Sequence, residues 1–146
     1  MARSSSADSH DDDDRLGPAI ERALPLRQRH LQGQHFTRAD VADLISALCV
    51  RSATDRVLDP ACGTGAILLR ARARLRWLGA PLDNASAQLT GVELDAAIAD
   101  AARENLPESR VRTDDFLAPG RDPLETAAPF DAIVGNPPYV RQELIT

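Results

Sequence analysis

Lysine is absent from the 146-residue chain, so its 17 Lys-plus-Arg positions are all arginine, and 22 Asp and Glu outweigh them to leave a formal net charge of −5. Strong nucleic-acid binding needs clustered cations, so this balance argues against a broad phosphate-tracking face. Part of the negative charge lies in the run Asp11 to Asp14, which leaves the remainder closer to neutral. The two cysteines, Cys49 and Cys62, form neither metal-ligand spacing nor a disulfide framework, as in a reducing compartment. Cys49 reads as core filling and Cys62 as a small loop residue. His30 and His35 have no second ligand at a useful spacing, and His10 beside the Asp run reads as part of a solvated tail, so no metal site is expected. No apolar run approaches the length of a bilayer span and the start has no apolar signal-peptide core, so a cytoplasmic protein is expected.

What is present is 43% hydrophobic and 27% charged, the composition of a globular domain with a modest core. Three stretches are expected: a disordered tail over 1–15, an N-terminal helical segment over 16–55, and a sheet-bearing region over 56–146. Pro18 suits the start of a short helix carrying Ile20, Ala23 and Leu24, which Pro25 ends. Thr37 is expected to open the next helix in a capping-box-like pair with Asp40. There Val41, Leu44, Ile45 and Leu48 recur as one stripe for packing on a sheet. Arg56 to Leu69 reads as buried strand, glycine turn and helix start. The helix runs from about Ala66 to Leu78, buries Leu68, Ala71, Leu75 and Leu78, and leaves its arginines on solvated faces. Leu82 to Gln88 is connector or a short turn, and Leu89 to Asp95 a second strand. A helix follows over Ala96 to Asn105, a third strand over Arg110 to Thr113, a loop over Pro119 to Pro129, and a fourth strand over Phe130 to Val134. This alternation predicts an α/β fold with a mostly parallel sheet.

Chemistry-bearing residues gather at the strand ends. Asp59 closes the first strand, where open α/β sheets bind ligands, and Gly63 and Gly65 let a ligand lie directly on the backbone. Alone, a Gly-x-Gly turn after a strand is a weak signal, because many tight strand-to-helix turns need glycine for purely steric reasons. The loop has neither the phosphate cradle of G-x-x-x-x-G-K-[ST] nor the third glycine of G-x-G-x-x-G, so neither a nucleoside triphosphate nor a dinucleotide is favoured. A carboxylate beside the turn suits a cationic, hydroxyl-rich ligand, and S-adenosylmethionine has that polarity. Glu93, ending the second strand, is the candidate acceptor for ribose hydroxyls. Asp115 with Phe116 can hold an adenine by its amino hydrogen and ring face, or can be an exposed acidic loop anchored by one buried ring. The last strand runs into Gly135-Asn136-Pro137-Pro138-Tyr139. Its prolines stiffen the loop, leaving an amide oxygen, a fixed carbonyl and an aromatic plate, a set that accepts from an NH₂ group on a flat ring.

The segments DPACGTG, GVELD, TDDFL and GNPPY, in this order and spacing, resemble the S-adenosylmethionine-dependent DNA adenine methyltransferases. GQHFTRADVADLI resembles the cofactor motif that precedes the sheet in the gamma-type arrangement, which includes the methyltransferase halves of some restriction-modification enzymes. The resemblance spans roughly Gly33 to Gln142. It implies a Rossmann-like class I methyltransferase sheet, incomplete at the C-terminus, since family members continue to seven strands and a separate recognition region. It implies S-adenosyl-L-methionine as cofactor, with Thr37 at its methionine end and Asp59, Ala61, Cys62 and Gly63 around its amino acid and ribose. Glu93 would take the ribose hydroxyls, and Asp115 and Phe116 the adenine. Asn136 and Pro137 would accept from the target amino group, Pro138 would stiffen the loop, and Tyr139 would stack on a flipped base. DNA would be the partner, through a recognition region outside this chain or a complementing C-terminal polypeptide, with no membrane role. The family's threonine is usually followed by proline, and here by Arg38. Enzymes that methylate a glutamine side chain or guanine in RNA share the Asn-Pro-Pro-Tyr pattern, and a fragment that only binds cofactor or a partner chain is a third reading. The DPACGTG form and the motif before the sheet favour DNA adenine.

Overall fold

The computed structural model describes residues 37–119 and 129–137. The expected N-terminal tail, the Pro18 helix, most of the loop from Pro119 to Pro129, and the site candidates Pro138 and Tyr139 lie outside the described residues. The element order is α1 (Ala39–Cys49), β1 (Val57–Asp59), α2 (Ala66–Trp77), α3 (Leu82–Ala87), β2 (Leu89–Glu93), α4 (Ala96–Asn105), β3 (Arg110–Thr113) and β4 (Ala132–Ile133).

The four strands form one sheet in the order β3-β2-β1-β4, every described pairing parallel. Val57 sits opposite Leu89 and Ala132, and these three side chains share one face of the sheet with Val134 in the main core cluster. Leu68, Ala71 and Leu75 of α2 are fully buried in the same cluster. Burial of a large aliphatic side chain contributes about 1.5–3 kcal/mol, so this cluster is the main source of cohesion. From β1 the chain steps to β2 and then β3 on one side, and returns to place β4 on the other side of β1. That reversal opens a crevice beyond the carboxyl ends of β1 and β4.

Several expectations are corrected. Thr37 does not cap α1; Arg38 occupies the N-cap without a side-chain cap bond, and Asp40 pairs with Arg38 at 2.9 Å. The stripe of Val41, Leu44 and Leu48 is exposed, whereas Ala42 and Ser46 are buried and Ile45 and Cys49 are half-buried against the core. The physical reason is the partner: α1 lies mainly on α2, and small residues allow two helices to approach closely. Arg70 and Arg74 serve that contact rather than a solvated face. Arg70 pairs with Asp43 at 3.6 Å with its side chain 11% exposed, and Arg74 Nε donates to the carbonyl of Val50 at 3.2 Å. Leu78 is half-buried, Leu82–Ala87 is a short helix, and the second strand stops at Glu93 because Asp95 caps α4, accepting from the N–H groups of Ala97 and Ile98. The fourth strand is only Ala132–Ile133. No helix among the described residues is long and apolar enough to cross a membrane.

Candidate active site

Asp59 ends β1 at 1% exposure, and its Oδ1 accepts from the Ala61 N–H at 3.1 Å. Burial pushes its carboxyl up to about 7; the Ala61 hydrogen bond opposes the shift and the nearby Glu93 carboxylate adds to it. The turn that follows is tied to β2 by the Cys62 N–H, which donates to the Val92 carbonyl at 2.9 Å. Cys62 packs inward: a Cβ on Gly91 would lie 2.8 Å from its Sγ, so the glycine of GVELD makes room for the turn. Burial, with Asp59 and Glu93 adding, pushes the Cys62 thiol up to about 12, which makes it a packing group rather than a nucleophile.

Gly63 and Gly65 both have positive φ, +56° and +91°. Their surroundings differ. A Cβ on Gly65 would lie 2.6 Å from Leu106 Cδ1, so this glycine permits the turn to sit against the end of α4, where Asn105 also donates to the Thr64 carbonyl at 3.0 Å. A Cβ on Gly63 would meet nothing within 4 Å, so the backbone there faces open space. The Gly63 N–H donates to Glu93 Oε2 at 3.0 Å, and the Asp95 N–H to Oε1 at 2.9 Å. Glu93 therefore clamps the turn after β1 to the turn after β2, a structural role its sequence position did not disclose.

From β3, the Asp114 N–H donates to the Glu93 carbonyl at 3.0 Å, which brings Asp115 and Phe116 beside the end of β2. Asp115 is exposed and its Oδ1 accepts from the Leu117 N–H at 2.9 Å, while Phe116 is half-buried. Sequence reasoning passed over Leu94, an apolar side chain 71% exposed between Glu93 and Asp95. The available signal was a large apolar residue between two acids at a strand end.

From β4, Gly135 passes so close to Asp59 that a Cβ there would lie 3.2 Å from Oδ1. Asn136 Nδ2 donates to Thr37 Oγ1 at 3.2 Å, across 99 residues of sequence. Thr37, Asp59, Gly135 and Asn136 thus share the crevice between β1 and β4, with Gly63 in the turn after β1 and Glu93 at the end of the neighbouring β2. The donor set suits a cation with hydroxyls: a buried carboxyl, a backbone cradle open over Gly63 and a second carboxylate. Ala61 contributes its N–H to Asp59, and Pro137, next to Asn136 in the chain, is exposed.

Residues 12–144 match the family model for N-6 DNA Methylase. The chain is 27% identical over 120 residues to the Type II methyltransferase M.CvrRI of Paramecium bursaria Chlorella virus XZ-6E, covering 82% of this chain and 28% of the relative. It is 31% identical over 87 residues to a tRNA (guanine(10)-N2)-dimethyltransferase of Methanothermobacter thermautotrophicus, covering 60% of this chain and 23% of the relative. The chain therefore spans about a quarter of the length of these curated relatives. Among solved structures, one described as a modification subunit of a type I restriction enzyme from Vibrio vulnificus YJ016 superposes with a TM-score of 0.50 at 22% identity, over 70% of this chain and 22% of that one. That likeness shows a shared fold.

Proposed function

Since the chain belongs to the N-6 DNA methylase family, we propose that it supplies the cofactor pocket and the target-facing loop of an S-adenosylmethionine-dependent enzyme that methylates the exocyclic amino group of adenine in DNA. One observation carries the reading. Thr37, Asp59 and Asn136, from three distant parts of the sequence, converge on the crevice where the strand order reverses.

Gly63 gives the cofactor open backbone, with Ala61 and Cys62 beside it in the turn, and Asp59 provides the carboxyl nearest its cationic end. Each Glu93 oxygen already accepts one backbone N–H and retains a further lone pair for a ribose hydroxyl. Leu94 and Phe116 flank the adenine, and Asp115 accepts from its amino group. Thr37 meets the methionine end. When bound, the cofactor would supply an electrophilic methyl group carried on a sulfonium.

The chain's own contribution is positioning. Asn136 Oδ1 and the Pro137 carbonyl accept the two N–H bonds of the target amine, which turns the nitrogen lone pair out of the ring and toward the methyl group. Pro138 holds that carbonyl in place, and Tyr139 offers a ring to stack on an extruded base. Residues 16–55 deliver Thr37 and residues 56–146 the remaining groups. Choice of DNA sequence is assigned to a region outside these 146 residues, in the same polypeptide or a complementing one.

Calorimetric titration of S-adenosylmethionine into the purified chain, with Glu93→Ala as control, tests the pocket. Micromolar binding that the substitution abolishes is expected. Absence of binding by a chain shown to be folded overturns the assignment. Because guanine and a glutamine side chain also carry a planar amino group, labelled-methyl transfer to duplex DNA, and not to tRNA or protein, by the chain alone or with a complementing polypeptide separates this reading from those alternatives.

A further inference from the structure

One side of α1 carries an exposed apolar row. Val41, Leu44 and Leu48 recur at the spacing that aligns them along the helix, and all three are exposed, while Ala42 and Ser46 on the neighbouring row are buried, with α2 as the main partner of the helix. Single exposed apolar side chains are ordinary on a protein surface. Three in line on one helix make a contiguous patch, and such a patch calls for an occupant.

Two occupants compete, a second copy of the chain and the chain's own N-terminal stretch, and the size of the row decides between them. From Val41 to Leu48 it is about 10 Å long, and three aliphatic side chains offer far less than the ~800 Å² that each partner of a stable dimer buries. A tethered segment needs no such area, because a short flexible linker holds it at a millimolar effective concentration. The sequence supplies a segment of matching chemistry: between Pro18 and Pro25, Ile20, Ala23 and Leu24 recur at helical spacing, with Glu21 and Arg22 assigned to the other side. So short a stretch does not hold a helix alone in water, where even about 12–15 residues are marginal, so it folds only against an apolar surface. The tether from Pro25 to Phe36 reaches up to about 40 Å when extended, against about 16 Å for the length of α1, and therefore spans the whole row.

We propose that residues 18–24 fold as a short amphipathic helix on the outer row of α1, with Ile20 and Leu24 against Val41, Leu44 and Leu48. The helix α1 is then held from two sides, by α2 and by this segment. It starts just after Thr37, so the docked segment braces the element that brings Thr37 to Asn136. This surface is internal to the chain and does not depend on the cofactor reading.

NMR on the full chain tests it without any ligand. In the wild type, nuclear Overhauser contacts are expected from the methyl groups of Ile20 and Leu24 to those of Leu44 and Leu48, with amide exchange of residues 22–24 slowed at least about 10-fold from the unfolded rate. The paired substitution Leu44→Glu with Leu48→Glu is expected to abolish that slowing and to leave the protected amides of β1 and β2 unchanged. Ile20→Glu with Leu24→Glu is the reciprocal change, and it alters no described residue, so it serves should the α1 pair fail to fold. In it, a soluble nitroxide is expected to broaden the Leu44 and Leu48 methyl signals more than in the wild type. Absence of the methyl contacts in the wild type, slowing that survives the α1 pair, or equal broadening in the wild type and the reciprocal pair each overturns the proposal. A dimer seen by light scattering and lost in the α1 pair, with residues 22–24 exchanging freely, also overturns it and assigns the row to a second copy.

Discussion

A single buried carboxyl sets much of the electrostatics at the strand ends. Asp59 is raised from 3.8 to about 7, with burial as the main cause. The folded chain therefore holds a proton that the unfolded chain releases. Under proton linkage, stability is greatest below the unfolded value, declines as pH rises through the interval to about 7, and is flat above it as far as this group is concerned. The whole shift corresponds to roughly 4 kcal/mol. Asp59→Asn keeps an oxygen for the Ala61 N–H and removes the charge, so it is expected to flatten this decline, to stabilise the chain at pH 8, and to weaken S-adenosylmethionine binding. Urea unfolding at pH 5 and pH 8 for both proteins checks the first two effects and calorimetry the third. A wild-type chain equally stable at both pH values would refute the assignment of a retained proton. Asp59 and Glu93 were legible as strand-end acids because a run of buried residues followed by an acid marks a parallel strand opening into a crevice. The Glu93 clamp was not, because it depends on two turns meeting in space.

At the scale of elements, the glycine turn separates fold from function. Gly65→Ala must place a Cβ 2.6 Å from Leu106 Cδ1 at a φ of +91°, and Leu106 is 1% exposed. Backbone strain and overpacking together predict a loss of roughly 2–4 kcal/mol. Gly63→Ala meets open space at a φ of +56°, so only about 1 kcal/mol of left-handed strain is expected, yet the methyl group intrudes where the cofactor would lie. Melting curves should place Gly65→Ala well below Gly63→Ala, while calorimetry finds binding lost in Gly63→Ala despite its fold. Asp95→Ala is the converse control. It removes the cap of α4 at a cost of about 1 kcal/mol but leaves the backbone N–H that holds Glu93, so binding should survive. The turn, α4 and β3 were readable from local signals: glycine after a strand, an alanine-rich run stopped by Pro107, and a short β-prone stretch. The face of α1 was not. Val41, Leu44 and Leu48 are the more apolar row, but the neighbouring row with Ala42 and Ser46 fits against α2, and that preference is a property of the partner helix. The contact between α1 and α2 likewise explains why Arg70 and Arg74 left the surface expected of them.

Over the whole molecule, charge decides what the chain can hold unaided. Its net charge is −5, and several of the described arginines are already committed. Arg70 pairs with Asp43, and Arg74 binds the Val50 carbonyl and lies 4.4 Å from the Trp77 ring centre. Arg103 binds the Val111 carbonyl, Thr113 and Asp100, so it guards the outer edge of β3 rather than offering charge to a ligand. Arg56 is held by the Pro129 carbonyl and lies over the Phe130 ring. Phosphate contacts draw affinity from releasing one counterion per neutralised phosphate, which requires several free cations along one track. The cofactor crevice, by contrast, carries Asp59 and Glu93 and needs no such track. The chain is therefore expected to bind S-adenosylhomocysteine while binding duplex DNA with a dissociation constant weaker than ~10⁻⁴ M at physiological salt, the weak end of non-specific binding. Fluorescence anisotropy with a labelled duplex across a salt series checks this. Tight binding with a steep salt slope would mean that a phosphate track exists among these 146 residues, and DNA recognition would then belong to this chain instead of a region outside it.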